Sequence, residues 1–449
     1  MSSKIFRCAI LMWTCFPAFS FILPSPKLTK IGMYGMPQKG GTFCVAAFTE
    51  LSSNSTRSDL VLHTRQLDNE ISAREWMENI EQSDGSIYGV GAYTVLRCDF
   101  ENFNQWNVWG VDFHMDRLCT SYKMLLESQS LFRSTINASL SFKKLRHETD
   151  EVITRLLEEA SRSLHREASS TQSDSTNTVK TEDNDGMLHR TLMLTILWTP
   201  PKHQSITETI ESEIRATVRG HAAFAGPFRS SMEDQMSPAI SVCLALPDEL
   251  TPEAFTLLPR RYVECTAAAS PTLVALFPSA KISMWCSARR PLEDPTRFKV
   301  PEMNVGEVLL VNQCNNTYGF IESLEILEGL TSNLFVVYKD GTVRTAPASK
   351  VLEGYSRHLV MTALLEMEPS VASSAKLVLD ERAPTVKDAM EGLWSEVFVT
   401  SAIRLLIPVN RVLIPSTKDS KTGVNAEMST LWQGEGFVHM SAIRRMLFM

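Results

Sequence analysis

The chain has 449 residues, of which 44% are hydrophobic and 21% are charged. By length it holds about two to three domains, and its composition is that of a globular protein with a sizeable core. The formal net charge of -7, without a basic cluster, argues against a nucleic-acid-binding protein. The nine cysteines form no Cys-x-x-Cys pair, which favours reduced thiols and disfavours a zinc site.

The N-terminal segment has the features of a targeting sequence. Lys4 and Arg7 precede an uncharged run over residues 8–23, which is short for a membrane span and fits a secretory signal peptide. An acid-poor, hydroxyl-rich stretch follows, as in transit peptides, and Ala18-Phe19 resembles the cleavage motif of bipartite plastid presequences. We therefore expect residues 1–80 to be a presequence and linker that direct the protein to a plastid, with no membrane segment in the mature form. A secretory destination and a buried apolar helix are the alternatives.

Residues 81–246 are predicted to form a smaller N-terminal domain. Strands are expected at 90–97, 191–197 and 240–246, and helices from about residue 115 and over 148–165. In the second helix, apolar residues recur at helical spacing at Val152, Leu156, Ala160 and Leu164. The polar stretch 166–186 is predicted to be a disordered insertion.

A turn-rich interdomain linker is expected at 247–256, followed by a larger C-terminal domain at 257–449. Strand patterns at 334–338 and 342–346 flank the turn residues Lys339, Asp340 and Gly341, which predicts a hairpin. Other elements are predicted in the ranges 307–311 (strand), 354–366 (helix), 397–400 (strand) and 412–414 (strand). Strands mixed with helices in two halves indicate an α+β, or mixed α/β, protein.

Four short clusters occur in a fixed order along the chain. His-x-x-Arg ends at Arg117, a second cluster opens at Lys281, Glu-Gly-x-x-Ser-Asn begins at Glu328, and Gly-Tyr-Ser begins at Gly354. Together they resemble, over residues 85–435, the class IV pyridoxal-phosphate family, which holds branched-chain and D-amino-acid aminotransferases and 4-amino-4-deoxychorismate lyase. The resemblance implies a two-domain fold with pyridoxal 5'-phosphate in the cleft, an amino acid or amino-substituted carboxylic acid as substrate, and a homodimer with its active sites near the subunit interface.

The resemblance also assigns roles to single residues. Lys281 corresponds to the lysine that holds the aldehyde cofactor as a Schiff base and moves the substrate proton. Glu328 corresponds to the glutamate that keeps the pyridine nitrogen protonated. The residues that correspond to the phosphate-binding groups are Arg117, Gly354, Tyr355, Ser356, Ser401 and Ala402.

Some positions depart from the family pattern or stay open. Lys281 and Glu328 are 47 residues apart, which is more than in the family, and we assign the excess to loop insertions at 293–304 and 313–323. If these insertions are misplaced, Lys299 is the rival cofactor lysine. Tyr93 is either a substrate-pocket residue or a core tyrosine, and His114 is expected to be structural. Glu353 stands where the family often has proline, and no arginine for the substrate carboxylate stands out.

Three functions therefore remain open on the sequence. Alanine at 402, where many family aminotransferases have threonine, is closer to the lyase branch. The first two alternatives are an aminotransferase, which passes the amino group of its substrate to a 2-oxo acid, and a 4-amino-4-deoxychorismate lyase. The third alternative is a non-catalytic member that binds the cofactor or a partner.

Overall fold

The structure is a computed structural model. The residues that it describes are 44–50, 61–66, 91–101, 105–128, 142–173, 190–199, 213–220, 239–246, 279–283, 285–286, 289–293, 305–313, 321–367, 377–415, 428–434 and 436–448. They belong to one compact unit, residues 41–449. Within these ranges, no helix combines the length and the hydrophobicity needed to cross a membrane.

The first layer is a six-stranded antiparallel sheet with two helices packed on it. Its strands, in the order β2-β1-β6-β5-β3-β4 across the sheet, are β1 (Cys44–Glu50), β2 (Val61–Gln66), β3 (Ala92–Glu101), β4 (Gln105–Val108), β5 (Arg190–Thr199) and β6 (Glu213–Gly220). Helices α1 (Val111–Ser128) and α2 (Phe142–Ser173) lie between β4 and β5 in the chain.

The apolar spacing of the helices explains why they lie on this sheet. In α2 the side chains of Val152, Leu156 and Ala160 are fully buried, because they recur every four residues and share one face. They enter one core with the alternating inward residues of β3. Trp198 of β5 is also fully buried, and its indole nitrogen donates to Thr149 Oγ1 at 2.9 Å, so its polar atom is satisfied.

The second layer is a mixed nine-stranded sheet. Its strands are β7 (Ile240–Ala245), β8 (Val305–Gln313), β9 (Leu324–Gly329), β10 (Asn333–Tyr338), β11 (Thr342–Arg344), β12 (Val378–Asp380), β13 (Trp394–Ser401), β14 (Leu405–Pro415) and β15 (Met428–Gln433). Its helices are α3 (Arg290–Glu293), α4 (Tyr355–Glu366), α5 (Val386–Met390) and α6 (Val438–Phe448), with a 3₁₀ turn at Ile321–Ser323.

Six strands of this sheet close into a ring. The pairings run β10-β13-β14-β7-β8-β9, and β9 returns to β10 through the single pair Glu328 and Asn333. The residues between them form a tight turn, in which Gly329 N donates to Ser332 O at 2.7 Å. The ring therefore closes at the residues of the Glu-Gly-x-x-Ser-Asn motif.

The predicted α+β class is confirmed, and most predicted elements lie where the sequence placed them. The helix predicted from about residue 115 begins at Val111, and the strand predicted at 412–414 extends over Leu405–Pro415. The hairpin has its turn at Gly341, whose φ of 87° is open to glycine at little steric cost. The elements that the sequence analysis missed are strands β1, β2, β4, β6, β9, β12 and β15 and helices α3, α5 and α6.

The structure differs from the predicted boundaries in three places. Strands β1 and β2 lie inside 1–80, the expected presequence and linker, and pair with the first sheet. Strand β7, expected in the N-terminal domain, pairs in parallel with β8 and β14, because its central residues are buried on both faces as in an interior strand. Helix α2 extends to Ser173, into the range 166–186 that was expected to be disordered.

Several predictions fall outside the described residues. These are the signal peptide and transit sequence at 1–43, the rest of the polar insertion at 174–186, the linker at 247–256, and Lys299. The division into two domains therefore stays a prediction.

A buried ion pair connects the two sheets. Arg97 of β3 donates through Nε to both oxygens of Asp99, at 3.0 and 2.9 Å, and the two residues are 6% and 5% exposed. Its Nη1 donates to Ile403 O at 2.9 Å, in the turn between β13 and β14. Trp109 and Thr191 also donate to Asp99, at 2.7 and 2.6 Å. The turn at 401–404 is thus tied to the first sheet.

We expect Arg97→Leu to destabilise the protein by about 3–5 kcal/mol, because the substitution leaves the Asp99 carboxylate buried without its cation. Urea unfolding followed by circular dichroism measures the change. The control is Arg382→Leu, which removes an exposed partner of Asp380 and is expected to destabilise the protein far less, because exposed ion pairs contribute little. Equal losses in the two variants would contradict the role of burial.

Candidate active site

The segment around Lys281 is held against the first sheet by its backbone. Tyr93 N donates to Lys281 O at 2.9 Å, and Lys281 N donates to Ser121 Oγ of α1 at 3.0 Å. Two further hydrogen bonds join Ser283 to Gly91. Ser283 N donates to Gly91 O at 2.8 Å, and Gly91 N donates to Ser283 Oγ at 3.0 Å. These contacts direct the Lys281 side chain over the ring of Tyr93, with Nζ 5.1 Å from the ring centroid.

The Lys281 amine lies in an environment that disfavours its charge. Burial, followed by repulsion from the Arg117 guanidinium, lowers the pKa of Lys281 from 10.5 to about 7. A sizeable fraction of this amine is therefore neutral, and so nucleophilic, at neutral pH.

Glu328 is a carboxyl with one oxygen fixed and the other free. Its Oε2 accepts from Leu352 N at 3.1 Å and from Asn333 Nδ2 at 3.2 Å. Among the described residues, none donates a hydrogen bond to Oε1. Burial raises the pKa of Glu328 from 4.5 to about 8, while the Leu352 hydrogen bond and the nearby Lys281 act in the opposite direction.

Lys281 and Glu328 are close enough for each to act on the other's pKa. Lys281 comes from the segment on the first sheet and Glu328 from the closure of the ring in the second. The two groups that the resemblance assigns to opposite ends of one cofactor are thus both buried and within electrostatic range of each other.

Arg117 bridges the two layers beside this pair. Its Nη1 donates to Glu353 O at 2.8 Å, and its Nη2 donates to Thr94 Oγ1 at 2.9 Å. Burial lowers the pKa of Arg117 to about 10, so the guanidinium stays charged at neutral pH. Its Nε is buried and has no hydrogen-bond partner among the described residues.

The start of α4 offers backbone donors to an anion. Gly354 is the N-cap and no side chain caps this end, so the first N–H groups of the helix lack the usual side-chain acceptor. The buried Ser356 donates from Oγ to Ser401 O at 2.8 Å, which joins this turn to the one at 401–404. In that second turn, Arg404 N donates to Ser401 Oγ at 3.2 Å.

Gly354 is required here by close packing. A Cβ atom at this position would collide with Asn333 Oδ1, the amide whose nitrogen donates to Leu352 O at 2.7 Å and to Glu328. The absence of a side chain at 354 therefore lets one amide hold both the Glu328 carboxyl and the loop that leads into α4.

The side chains of the remaining predicted site residues lie around the site without a hydrogen bond to Lys281, Glu328 or Arg117 among the described contacts. Tyr355 lies in the first turn of α4, but its ring packs on Phe113 and His114, with centroids 5.5 and 5.3 Å away. Ala402 is half-buried in the second turn. Tyr93, which the sequence left open, is 4% exposed and lies below the Lys281 amine.

Sequence reasoning missed some residues of the site. Asn333 was visible as the last letter of the Glu-Gly-x-x-Ser-Asn motif, but its contact with Glu328 depends on the ring closure. Thr94, which binds both Arg117 and His114, carried no signal beyond its place next to Tyr93. Within the described ranges, no set of side chains is arranged to hold a metal ion.

Comparison with known proteins gives distant structural likenesses. Neither a protein-family model nor a curated protein matches the chain. It is similar to a fold IV-transaminase from Curtobacterium pusillum, with 13% identity, a TM-score of 0.45 and coverage of 90% of this chain and 99% of the other. It is also similar to a branched-chain amino acid aminotransferase from Thermobaculum terrenum, with 12% identity, a TM-score of 0.45 and coverage of 92% of this chain and 94% of the other. The branched-chain amino acid aminotransferase of Escherichia coli has 16% identity, a TM-score of 0.41 and coverage of 81% of this chain and 88% of the other.

All three are aminotransferases, the class that the sequence motifs resemble. These identities and scores are too low to transfer an activity, so the residues of the site have to carry the functional assignment.

We expect the Lys281 amine of the cofactor-free protein to react with trinitrobenzenesulfonate with an inflection near pH 7, because its pKa is lowered to about 7. Peptide mass spectrometry at a series of pH values gives the rate, with the exposed Lys123 as internal reference. Arg117→Met should move the inflection to higher pH, since it removes a repelling charge. An inflection near 10.5 in the unsubstituted protein would contradict the burial of the amine.

Glu328 predicts a pH-dependent stability. Its folded pKa of about 8 exceeds the 4.5 of the unfolded chain, so the stabilisation by its bound proton is complete below pH 4.5 and lost as the pH rises through 8. The free energy of unfolding of the cofactor-free protein, relative to that of Glu328→Gln, should therefore decrease as the pH rises from 4.5 to 8, as measured by urea unfolding. Glu322→Gln, at an exposed position, should run parallel to the unsubstituted protein; the same slope in both variants would contradict the assignment.

Proposed function

We propose that the protein is a pyridoxal-phosphate-dependent enzyme of the class IV aminotransferase type, with Lys281 as the residue that carries the cofactor. The observation that supports this most strongly is the shared environment of a partly neutral amine and a carboxyl with one free oxygen, at Lys281 and Glu328. Such a pair matches the two ends of an aldehyde-bearing pyridine ring.

The residues present fit this cofactor. The phosphate would lie at the uncapped start of α4, where Gly354 and Ser356 meet the turn at Ser401. Backbone N–H groups and the positive end of the helix dipole favour an anion there. The charged Arg117 is bonded to Glu353 O, next to that helix start, and its Nε is a buried donor without a partner.

When bound, pyridoxal phosphate supplies the aldehyde that the lysine engages and an electron-withdrawing ring. Lys281 Nζ is the group that would take and return the substrate proton, and its pKa near neutrality suits both directions of transfer. Glu328 would face the ring nitrogen through Oε1, and a positive charge there would shift this carboxyl to its ionised form.

The surrounding residues keep these groups in place and dry. Asn333 and Leu352 N prevent the Glu328 carboxyl from rotating. Tyr93 lies under the Lys281 amine and is itself almost fully buried, so water has little access from that side. Low polarity around the amine strengthens the electrostatic contacts within the site.

Two reactions suit such a site. An aminotransferase would pass the amino group to a 2-oxo acid, whereas a lyase would eliminate pyruvate from 4-amino-4-deoxychorismate and release 4-aminobenzoate. Ala402 favours the lyase on the sequence resemblance. Assays with branched-chain and D-amino acids, set against a 4-aminobenzoate readout, separate the two. A homodimer is proposed on the family resemblance, and a plastid location on the N-terminal sequence.

Purified protein incubated with pyridoxal phosphate is expected to absorb violet light, and borohydride should fix the cofactor covalently on the peptide that contains Lys281. Lys281→Ala should lose both properties because no amine remains at the site. Lys299→Ala is the matched control and should keep them. An adduct on Lys299, or none in the unsubstituted protein, would refute the proposal. A coloured protein without turnover of any amino donor would favour the non-catalytic alternative.

A further inference from the structure

The segment 281–283 is paired with the first sheet as a very short strand. Ile282 lies opposite Ala92 of β3 in an antiparallel bridge, on the edge of β3 that β4 occupies further along. Two backbone hydrogen bonds, of 2.9 and 2.8 Å, flank this pair and join 281–283 to 91–93. The chain that carries the lysine thus continues the sheet for only three residues.

This bridge decides which way the Lys281 side chain points. Side chains alternate between the two faces along a strand. Ile282 is 4% exposed and enters the core on the helix side of the sheet, together with Ala92. Lys281 therefore projects from the opposite face, where Tyr93 lies and where the lysine Nζ is 5.1 Å from the ring centroid. Ile282 is thus the apolar anchor of the segment.

Serine hydroxyls replace main-chain carbonyls at both ends of the bridge. In a regular antiparallel ladder, the N–H groups of Lys281 and Gly91 would both donate to carbonyls of the opposite strand. Here Lys281 N donates to Ser121 Oγ of α1 at 3.0 Å. Gly91 N donates to Ser283 Oγ, also at 3.0 Å. The two hydroxyls stop the ladder on both sides and leave the lysine held at its N–H and its carbonyl.

Both hydroxyls lie in the interior of the protein. Ser121 is 1% exposed and Ser283 is 2% exposed, so solvent has little access to the N–H groups that they satisfy. A main-chain N–H that loses its acceptor in such a place carries its full desolvation cost. The carbonyl of Ser283, released from the ladder, accepts from Cys286 N at 2.9 Å. The serines therefore satisfy the backbone where the chain passes from a strand to a helical turn.

Ser121 also connects the lysine to the helix that carries Arg117. The two residues are four positions apart in α1, so they share one face of the helix and are about 6 Å apart along its axis. Arg117 is itself bonded to Thr94 Oγ1 of β3 at 2.9 Å. One rigid helix thus holds both the lysine backbone and the guanidinium proposed for the phosphate.

We propose that the hydroxyls of Ser121 and Ser283 position Lys281 for its bond with the cofactor. They fix the main chain at both ends of the bridge, so that the amine, at the end of a flexible side chain, starts from one place relative to Arg117. Both are positioning residues, because they act through the main chain and not on the reacting atoms. The inference rests on the proposed function, since it takes Lys281 as the residue that carries pyridoxal phosphate.

The test separates the placement of the amine from the binding of the phosphate. Pyridoxal 5'-phosphate has an aldehyde that the Lys281 amine attacks, whereas pyridoxine 5'-phosphate has an alcohol in its place and binds only non-covalently. Calorimetry on the cofactor-free protein gives both affinities, and borohydride followed by peptide mass spectrometry locates the covalent attachment. The ratio of the two affinities reports how well the amine is placed.

Ser121→Ala should lower the affinity for pyridoxal phosphate by about tenfold or more and leave the affinity for pyridoxine phosphate unchanged. Attachment requires the segment in its bridged position, where the variant leaves an interior N–H without an acceptor, and an unsatisfied donor has a cost of that size. Ser283→Ala should have the same effect, because Gly91 N then loses its acceptor. Since the two hydroxyls lie at opposite ends of the bridge, either variant decides the question if the other does not fold.

Two further variants serve as controls. Ser121→Thr keeps the hydroxyl and should restore the ratio of affinities found in the unsubstituted protein. Thr149→Val removes another interior hydroxyl of the first layer, whose oxygen accepts from the Trp198 indole at 2.9 Å. It should keep that ratio even where it lowers the melting temperature. Melting temperatures of all variants distinguish a loss of stability from a loss of placement.

The outcomes separate the two proposals. An unsubstituted protein that attaches no pyridoxal phosphate to Lys281 would overturn the proposed function. Attachment to Lys281 together with an unchanged ratio in both serine-to-alanine variants would overturn the positioning role alone. Equal weakening of both ligands would assign the hydroxyls to the stability of the fold, which also contradicts the proposal. So would a Thr149→Val variant whose ratio falls as far as that of Ser121→Ala.

Discussion

The desolvation of Lys281 is the constraint on which the site depends. An ammonium buried near the Arg117 guanidinium is costly, so the amine loses part of its charge. The same interior holds the Glu328 carboxyl, whose negative charge is disfavoured for the same reason. The fold keeps both groups buried by holding their backbones: strand-like contacts fix the lysine, and the closure of a six-strand ring fixes the glutamate.

The two layers meet through polar contacts as well as through apolar packing. Arg97 reaches from the first sheet to Ile403 O, and Arg117 reaches from α1 to Glu353 O. Each contact lands next to one of the two turns that Ser356 and Ser401 join. The proposed phosphate-binding end of the site therefore combines Arg117 of the first layer with two turns of the second.

Much of this arrangement could be predicted from the sequence, because local patterns determine local structure. The periodicity at Val152, Leu156 and Ala160 gave a helix, and the glycine at 341 gave the hairpin turn. Contacts between distant segments could not be derived in this way. The place of β7 in the second sheet and the hydrogen bond between Lys281 and Ser121 follow from contacts between segments far apart in the chain, which leave no mark on neighbouring residues. The motif resemblance supplied Lys281 and Glu328, while their common surroundings depend on the closure of the ring.

The steric exclusion at Gly354 has a consequence for protein engineering. Because the amide oxygen of Asn333 occupies the space of any side chain at 354, the two positions are expected to be epistatic. A library that varies position 354 alone would return only clashing or distorted loops. Paired changes that shorten position 333 would relieve the clash, but they would remove the amide that orients the glutamate. Attempts to widen the substrate range are therefore better directed at other loops.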